Sequence, residues 1–522
     1  MRTNLALAFY NHARAHPERP ALFVNDREFS YGEVAEIAAR IAAWLQLAAQ
    51  PAKLVGILAS RSWPAYAGVL GACWSGAAYV PLNPEWPEQR LLDILTRTEL
   101  DALIVDDHDL KVLSSEILRA APKRILAPAR QAAQQLGAAE CIRSVESWNA
   151  LANAPLAEPS EMTADDLAYI IFTSGTTGSP KGVMVTTGSV WSFLKAMNER
   201  YDFGPKDRIS QRHDLSFDFS VLDLFVTWFS GASLHVIPAT QLMGPSRFIR
   251  EHQLTVWFSV PSVIAFMSEM KMLTAGAFPS LRYSAFCGEP LPTASVRKWQ
   301  EACPNSVIDN IYGPTEATVA CLGYNCAAEL LATEERGTVA IGRPFPGMRA
   351  AVLDPNLNFL PAGEKGELAL CGKQLATEYF NDPQRTAARF VSLRGETWYL
   401  TGDLAYQDTN GAFHHLGRTD NQVKVLGNRV ELEDIEAHLR QSSGTTSVAA
   451  VPWPVVNGSA GGIVAFVSGS KLTGTEIRAR MQLHVPRYMV PSAVRVLDRL
   501  PLNANGKTDR KSLTEMLLQE SE

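Results

Sequence analysis

Ten residues from Thr173 to Gly182, reading T-S-G-T-T-G-S-P-K-G, follow the apolar run Leu167-Ala-Tyr-Ile-Ile-Phe172. A run rich in Tyr, Ile and Phe has the pattern of a buried strand, and a stretch of Gly, Ser, Thr, Pro and Lys cannot continue it. A polar loop therefore leaves the end of a strand. Gly175, Gly178 and Gly182 let the backbone approach a ligand closely, Thr173, Ser174, Thr176 and Thr177 offer hydroxyls, and Lys181 brings a positive charge. That combination suits a polyphosphate. Two familiar phosphate loops are excluded by spacing. Counting on from Gly175 in the G-x-x-x-x-G-K-[ST] order puts Pro180 where the second glycine belongs, and Gly182 follows Lys181 in place of Ser or Thr. The dinucleotide pattern G-x-G-x-x-G is absent from this stretch as well. A flexible linker is an equally consistent reading of a Gly/Ser/Thr-rich loop taken alone, although a lysine between Pro180 and Gly182 is less expected of one.

The chain around this loop has 522 residues, 46% hydrophobic and 20% charged, which is room for roughly two to four domains with large cores. A net charge of −6 leaves no basic footprint, so nucleic acid is not an expected partner. Cys73, Cys141, Cys287, Cys303, Cys321, Cys326 and Cys371 are scattered and form no C-x-x-C pair, the pattern of reduced thiols without a metal cluster. The N-terminus has too short an apolar core for a signal peptide and no run of about 18 apolar residues occurs. A soluble, cytoplasmic protein with no membrane partner is expected.

Along the chain, strand and helix patterns alternate. Pro20–Val24 and Glu28–Tyr31 read as a strand pair around Asn25-Asp26, and Ser30 with Glu33 reads as a capping box opening a helix through Leu45. Strands at 55–58, 78–82 and 102–105 with intervening helices argue for a parallel α/β sheet. From Gly337 to Gly372 short β-like runs broken by Pro and Gly suggest a small β-barrel or sheet. The last hundred or so residues read as a separate α+β block with helices and strands of its own.

Further motifs accompany the loop: Asn310-Ile-Tyr-Gly-Pro-Thr-Glu316, Tyr399-Leu-Thr-Gly-Asp403, Gly417-Arg-Thr-Asp420, Asn421-Gln-Val-Lys-Val-Leu-Gly427 and Leu502-Asn-Ala-Asn-Gly-Lys507. In this order, over roughly residues 10 to 515, they resemble the adenylate-forming superfamily, and the chain is similar to the amino-acid-activating (adenylation) domains of nonribosomal peptide synthetases. The resemblance implies a large layered α/β N-terminal domain over 1–419 with a small β-barrel, and a small mobile α+β domain over 420–522 hinged at Asp420. It implies an ATP site from Thr173, Ser174, Gly175, Thr176, Thr177, Gly178, Lys181, Gly288, Asn310, Tyr312, Gly313, Thr315, Asp403 and Arg418, with Tyr312 on the adenine, Asp403 on the ribose hydroxyls and Glu316 on Mg²⁺. Lys507 is implied as the catalytic lysine bridging the substrate carboxylate and the α-phosphate, and Lys424 and Arg429 as residues of a second conformation serving thiol transfer. Each motif has a plainer reading: a turn before a helix for Glu316, a Gly-Asp turn for Asp403, solvated loop cations for Arg418 and Lys507, and an outer strand face for Lys424 and Arg429.

Asp218 lies between Phe217 and Phe219 in an apolar run, where burial is costly unless it meets a cation, and a helix N-cap is the competing role. By resemblance the cation is a substrate ammonium, and the side-chain pocket is Phe219, Leu222, Ser259, Ala285, Cys287, Ile311, Val319 and Ala320, with Lys507 on the carboxyl group. None of these eight is charged, so a small or medium neutral amino acid is expected, such as alanine, serine, threonine or proline. Two positions depart from the family pattern, Thr187 for a usual histidine and Leu400 for a common basic residue. No phosphopantetheine-bearing module follows Lys507, so the expected carrier is a separate protein. The expected reaction is a ligation: ATP and an amino acid give aminoacyl-AMP and pyrophosphate, and a carrier phosphopantetheine thiol then takes the acyl group. An acyl-CoA synthetase and a non-catalytic nucleotide-binding protein are the rival readings.

Overall fold

The computed structural model describes residues 2–47, 50–106, 111–127, 144–148, 151, 156–174, 180–326, 330–419, 422–456, 459–501 and 508–520. Two large mixed sheets carry most of it. In the first, the strands run in the order Glu378–Tyr379, Lys181–Thr186, Leu167–Thr173, Ala78–Leu82, Leu54–Leu58, Ala102–Val105, Arg124–Ala127 and Ser144–Ser147. They are parallel from Leu167–Thr173 outward, as the alternation of strand and helix predicts. Leu167–Thr173 nevertheless pairs antiparallel with Lys181–Thr186, with Thr173 opposite Lys181. A connection of a few residues can only turn back on itself, because a parallel crossover needs a dozen or more. The sheet is therefore mixed, and the glycine-rich segment joins the two strands of a hairpin.

The second sheet runs Arg343–Pro344, Leu322–Asn325, Val307–Tyr312, Tyr283–Phe286, Val256–Ser259, Arg208–Gln211, Ser233–Val236, Pro20–Val24, Arg27–Ser30. Its centre is parallel and both edges are antiparallel. At one edge Asn25 and Asp26 both take positive φ, 50° and 58°, as a two-residue hairpin turn requires. Ser30 and Glu33 close a capping box on the helix Tyr31–Gln46, which buries its Val34, Ala38, Ile41 and Leu45 face. Trp63–Ser75 is buried nearly all round, and both helices join one continuous apolar core with strands of both sheets.

The Pro- and Gly-broken region contributes Met348–Leu353 and Gly366–Gly372 to a five-stranded antiparallel sheet that is completed by Phe390–Leu393, Glu396–Gln407 and Phe413–Arg418. Its long strand Glu396–Gln407 pairs with neighbours at both ends, which sets Asp403 directly opposite Arg418. From residue 422 the chain makes a hairpin, Gln422–Val425 with Asn428–Glu431, then the helix Leu432–Ser443 and a sheet of Val448–Pro452, Ile463–Ser468 and Ala493–Leu497. The apolar clusters of this part draw only on residues from 423 onward. Asp420 lies outside the described residues.

Candidate active site

A cavity of about 330 Å³ opens at the carboxyl ends of the second sheet's central strands, the place where open α/β sheets present ligand sites. Gly288, Asn310, Tyr312, Gly313, Thr315, Asp403 and Arg418, all expected at a nucleotide, line it. So do Asp218, Phe219, Cys287, Ile311 and Val319, expected at the amino acid. Leu222, Ser259, Ala285 and Ala320 are fully buried but are not among its lining residues, and the Ser259 hydroxyl already accepts the indole N–H of Trp257 at 3.0 Å. Gly175, Thr176, Thr177, Gly178 and Lys507 lie outside the described residues.

On one side of the cavity, Asp403 receives Arg418 Nη1 at 2.6 Å on Oδ1, His415 Nε2 at 3.4 Å on the same oxygen, and the Tyr312 hydroxyl on Oδ2. Burial alone would raise its pKa, but Arg418 and the hydrogen bonds outweigh this and hold the carboxyl well below the usual range. Arg336 donates to His415 Nδ1 at 2.9 Å, which leaves the proton on Nε2, facing Asp403. Neither His415 nor Arg336 belonged to a sequence motif. His415 lies on the strand Phe413–Arg418, and its pairing with Glu396–Gln407 is what brings it to Asp403.

On the other side, Glu316 is wholly buried under a set of charges. Arg429 Nη1 donates to its Oε2 at 2.7 Å, while the Tyr379 hydroxyl at 2.7 Å and Lys181 Nζ at 3.3 Å reach Oε1. Lys181 also approaches Glu431 at 3.9 Å, and Gln422 donates to the same carboxylate. The four charges sum to neutrality, which is how a cluster this deep is tolerated. Desolvation and Arg429 nonetheless lower the Lys181 pKa to about 8. Glu431 was absent from the sequence motifs. Lys424 lines the same cavity, and Ser174 donates to the Arg429 carbonyl at 2.7 Å, so the 422–431 hairpin sits in the site. At its turn Leu426 and Gly427 take φ of 48° and 84°, and a Cβ on Gly427 would lie 2.6 Å from Val260 Cγ1.

Asp218, 6% exposed, lines the same cavity. It precedes the helical residues Phe219–Val221 but makes no side-chain cap, so the N-cap role is not the one it plays. Burial raises its pKa to about 6, opposed by a hydrogen bond from Thr315 and by the charge of Lys424. The helix continues as a π turn over Leu222–Val226, a geometry frequent at functional sites.

A second cavity of about 600 Å³ meets the first at Phe217, Asp218, Glu289, Pro290, Thr315 and Arg429. Thr173 and Ser174 border it together with apolar side chains such as Trp86, Met243 and Phe266. Among the described residues, no group of three or more His, Cys, Asp or Glu side chains is placed to hold a metal ion, and no helix is long and apolar enough to cross a membrane. The six described cysteines are free and buried.

The sequence pattern of the AMP-binding enzyme family matches residues 9–380, well over half of the chain. The chain belongs to the AMP-binding enzyme family. Within that family it is similar to adenylation domains of the nonribosomal peptide synthetase type. It is 33% identical over 95% of its length to tyrocidine synthase 3 of Brevibacillus parabrevis, and 34% identical over 97% to the phosphinothricin tripeptide synthetase PhsC of Streptomyces viridochromogenes. It spans 7% of the first of these relatives and 44% of the second. Among solved structures, the Vibrio cholerae adenylation domain AlmE in complex with glycyl-adenosine-5′-phosphate superposes with a TM-score of 0.90 at 32% identity, covering 99% of this chain and 98% of that one. The mixed α/β architecture is thus that of the family.

Proposed function

We propose that the chain activates a small or medium neutral amino acid with ATP, forming aminoacyl-AMP and pyrophosphate, and passes the acyl group to the phosphopantetheine thiol of a separate carrier protein. The observation that carries this reading is Asp218: a buried, uncapped carboxylate with a raised pKa, on the cavity wall that also holds the apolar side chains of Phe219, Cys287, Ile311 and Val319. A carboxylate in that setting needs a cation, and the ammonium of an amino acid supplies one. Phe219, Ile311, Cys287 and Val319 favour a neutral side chain of limited size beside it, and the glycyl adenylate held by AlmE is of the same class.

In this reading the Asp403, Tyr312 and Arg418 group takes the adenosine, with Asp403 accepting from the ribose hydroxyls, and Lys181 and Thr315 face the phosphates. Glu316 fits a Mg²⁺ ligand by its hard oxygens, but both oxygens are engaged here by Arg429, Lys181 and Tyr379, so it would hold the ion only with the hairpin withdrawn. The ion would supply charge neutralisation to the triphosphate. Withdrawal of the 422–431 hairpin by rotation of a 420–522 domain about Asp420 would bring Lys507 to the carboxylate and α-phosphate. Return of the hairpin would give the arrangement seen here, with Lys424 and Arg429 inside and the second, apolar-walled cavity open to a thin thiol arm.

Amino-acid-dependent exchange of pyrophosphate into ATP, across a panel of amino acids and of acids lacking the amino group, tests the reading. Exchange with one neutral amino acid, abolished in Lys507→Ala, is expected. Exchange only with acids lacking an ammonium would replace it with an acyl-CoA synthetase, and no exchange at all with a binding protein.

A further inference from the structure

His213 is a buried histidine that no part of the proposed chemistry uses. Its Nδ1 lies 2.8 Å from Asp223 Oδ2, and Asp223 itself is fully buried on the π turn Leu222–Val226. A buried carboxylate accepts only from a protonated nitrogen, so the imidazole carries its proton on Nδ1 and its lone pair on Nε2. Among the described residues Nε2 has no hydrogen-bond partner, although His213 is only 6% exposed. A buried acceptor left unmatched is costly, which makes it a candidate for a group that arrives during turnover. The ring is held by Phe219 at 4.4 Å and Phe217 at 5.6 Å between centroids, both edge to face. It borders the second cavity, whose inner end reaches the Asp218, Thr315 and Arg429 junction with the first.

We propose that His213 is the base that takes the proton of the incoming thiol in the transfer step, with Asp223 as the residue that fixes its tautomer and orientation. This rests on the reading that a thiol receives the acyl group. The thiol S–H bond breaks and its proton moves to Nε2. The sulfur electron pair forms the S–C bond at the acyl carbonyl of the aminoacyl adenylate. The tetrahedral adduct then collapses, breaking the C–O bond to phosphate, so that AMP leaves with that electron pair and the imidazolium returns its proton to solvent. Burial, with Arg212 and Arg61 nearby, keeps the ring neutral at pH 7 against the pull of Asp223, the state a base requires. The arrangement is that of a carboxylate-oriented imidazole whose second nitrogen is left without a partner among the described residues, on a residue that lines the second cavity.

The test compares pyrophosphate exchange with acyl transfer to pantetheine in the wild type, His213→Asn and Asp223→Asn, using glycine, alanine, serine, threonine and proline as amino acids. In both variants, transfer is expected to fall by about 10²- to 10⁴-fold beyond any fall in exchange, the range of general base catalysis. The deficit should shrink as pH approaches the thiol pKa near 8.5, where the nucleophile forms unaided. Transfer that keeps pace with exchange in both variants, or a deficit that does not change with pH, overturns the assignment. A wild type that exchanges but never acylates pantetheine overturns the thiol-transfer reading itself, before any variant is measured.

Discussion

The Asp403 and Glu316 groups each bury a carboxylate beneath cationic and phenolic donors, yet they are assembled in opposite ways. Asp403 and Arg418 face each other across adjacent strands of one sheet, and Tyr312 and His415 come from strands of the same continuous framework. The Glu316 group depends on Arg429 and Glu431, which arrive on the hairpin that begins the C-terminal part of the chain. The first group is built within one sheet-borne framework, and the second is complete only with that hairpin in place. On the proposed two-step reading this division gives a fixed cradle for the part of the ligand common to both steps, and a removable set of charges where the chemistry changes.

Removing Arg418 gives the sharpest contrast. Arg418→Ala strands a buried carboxylate, a loss of about 3–5 kcal/mol by general experience with such pairs, so exchange should fall at least 10²-fold and the melting temperature should drop by several degrees. On the proposed reading, in which the hairpin withdraws for the first step, Arg429→Ala should instead slow acyl transfer about tenfold while exchange changes only a few-fold. If Arg429→Ala damages exchange as severely as Arg418→Ala, the distinction between fixed and conditional groups fails.

A smaller effect comes from acidity at the centre. In the free enzyme the raised pKa of Asp218 means that its carboxyl is protonated below about pH 6 and cannot pair with an ammonium. KM for the amino acid should therefore rise by up to about tenfold per unit as pH falls below 6, with KM for ATP much less affected. The smallest effect lies away from the site. His235, beside His252 at 3.2 Å and largely desolvated, has its pKa lowered to about 3. Between the unfolded value near 6.5 and about 3 the unfolded chain binds the extra proton, so stability should decline as pH falls through that window, by at most about 1.4 kcal/mol per unit. His235→Phe should flatten that decline in thermal melts.

Local chemistry made much of this legible in the sequence. The strand before the glycine-rich segment, the Ser30 and Glu33 cap and the Asn25-Asp26 turn each follow from residues a few positions apart, and the structure has them. The motifs also marked Asp403, Arg418 and Asp218, which line the first cavity, and Glu316, which is buried against the cavity-lining Arg429. Strand direction was less legible, since period-two patterning is the same for parallel and antiparallel neighbours, and the antiparallel return at Lys181 emerged only from the pairing. Contacts distant in sequence were not legible at all. Nothing near Glu316 signals that its partner lies 113 residues on, and His213 carried no motif beyond a polar Gln-Arg-His-Asp interruption between apolar runs.

On the proposed reading, the turn at Gly427 makes the seating of the hairpin sensitive to a single hydrogen atom. The glycine passes so close to Val260 that one added methyl would have to displace a wall of the sheet-borne framework, while its positive φ would resist any side chain on its own account. A methyl there would leave the fixed adenosine cradle untouched and obstruct only the seating of the hairpin. The enzyme would then bind and activate yet deliver slowly, a machine whose clutch slips while its engine runs.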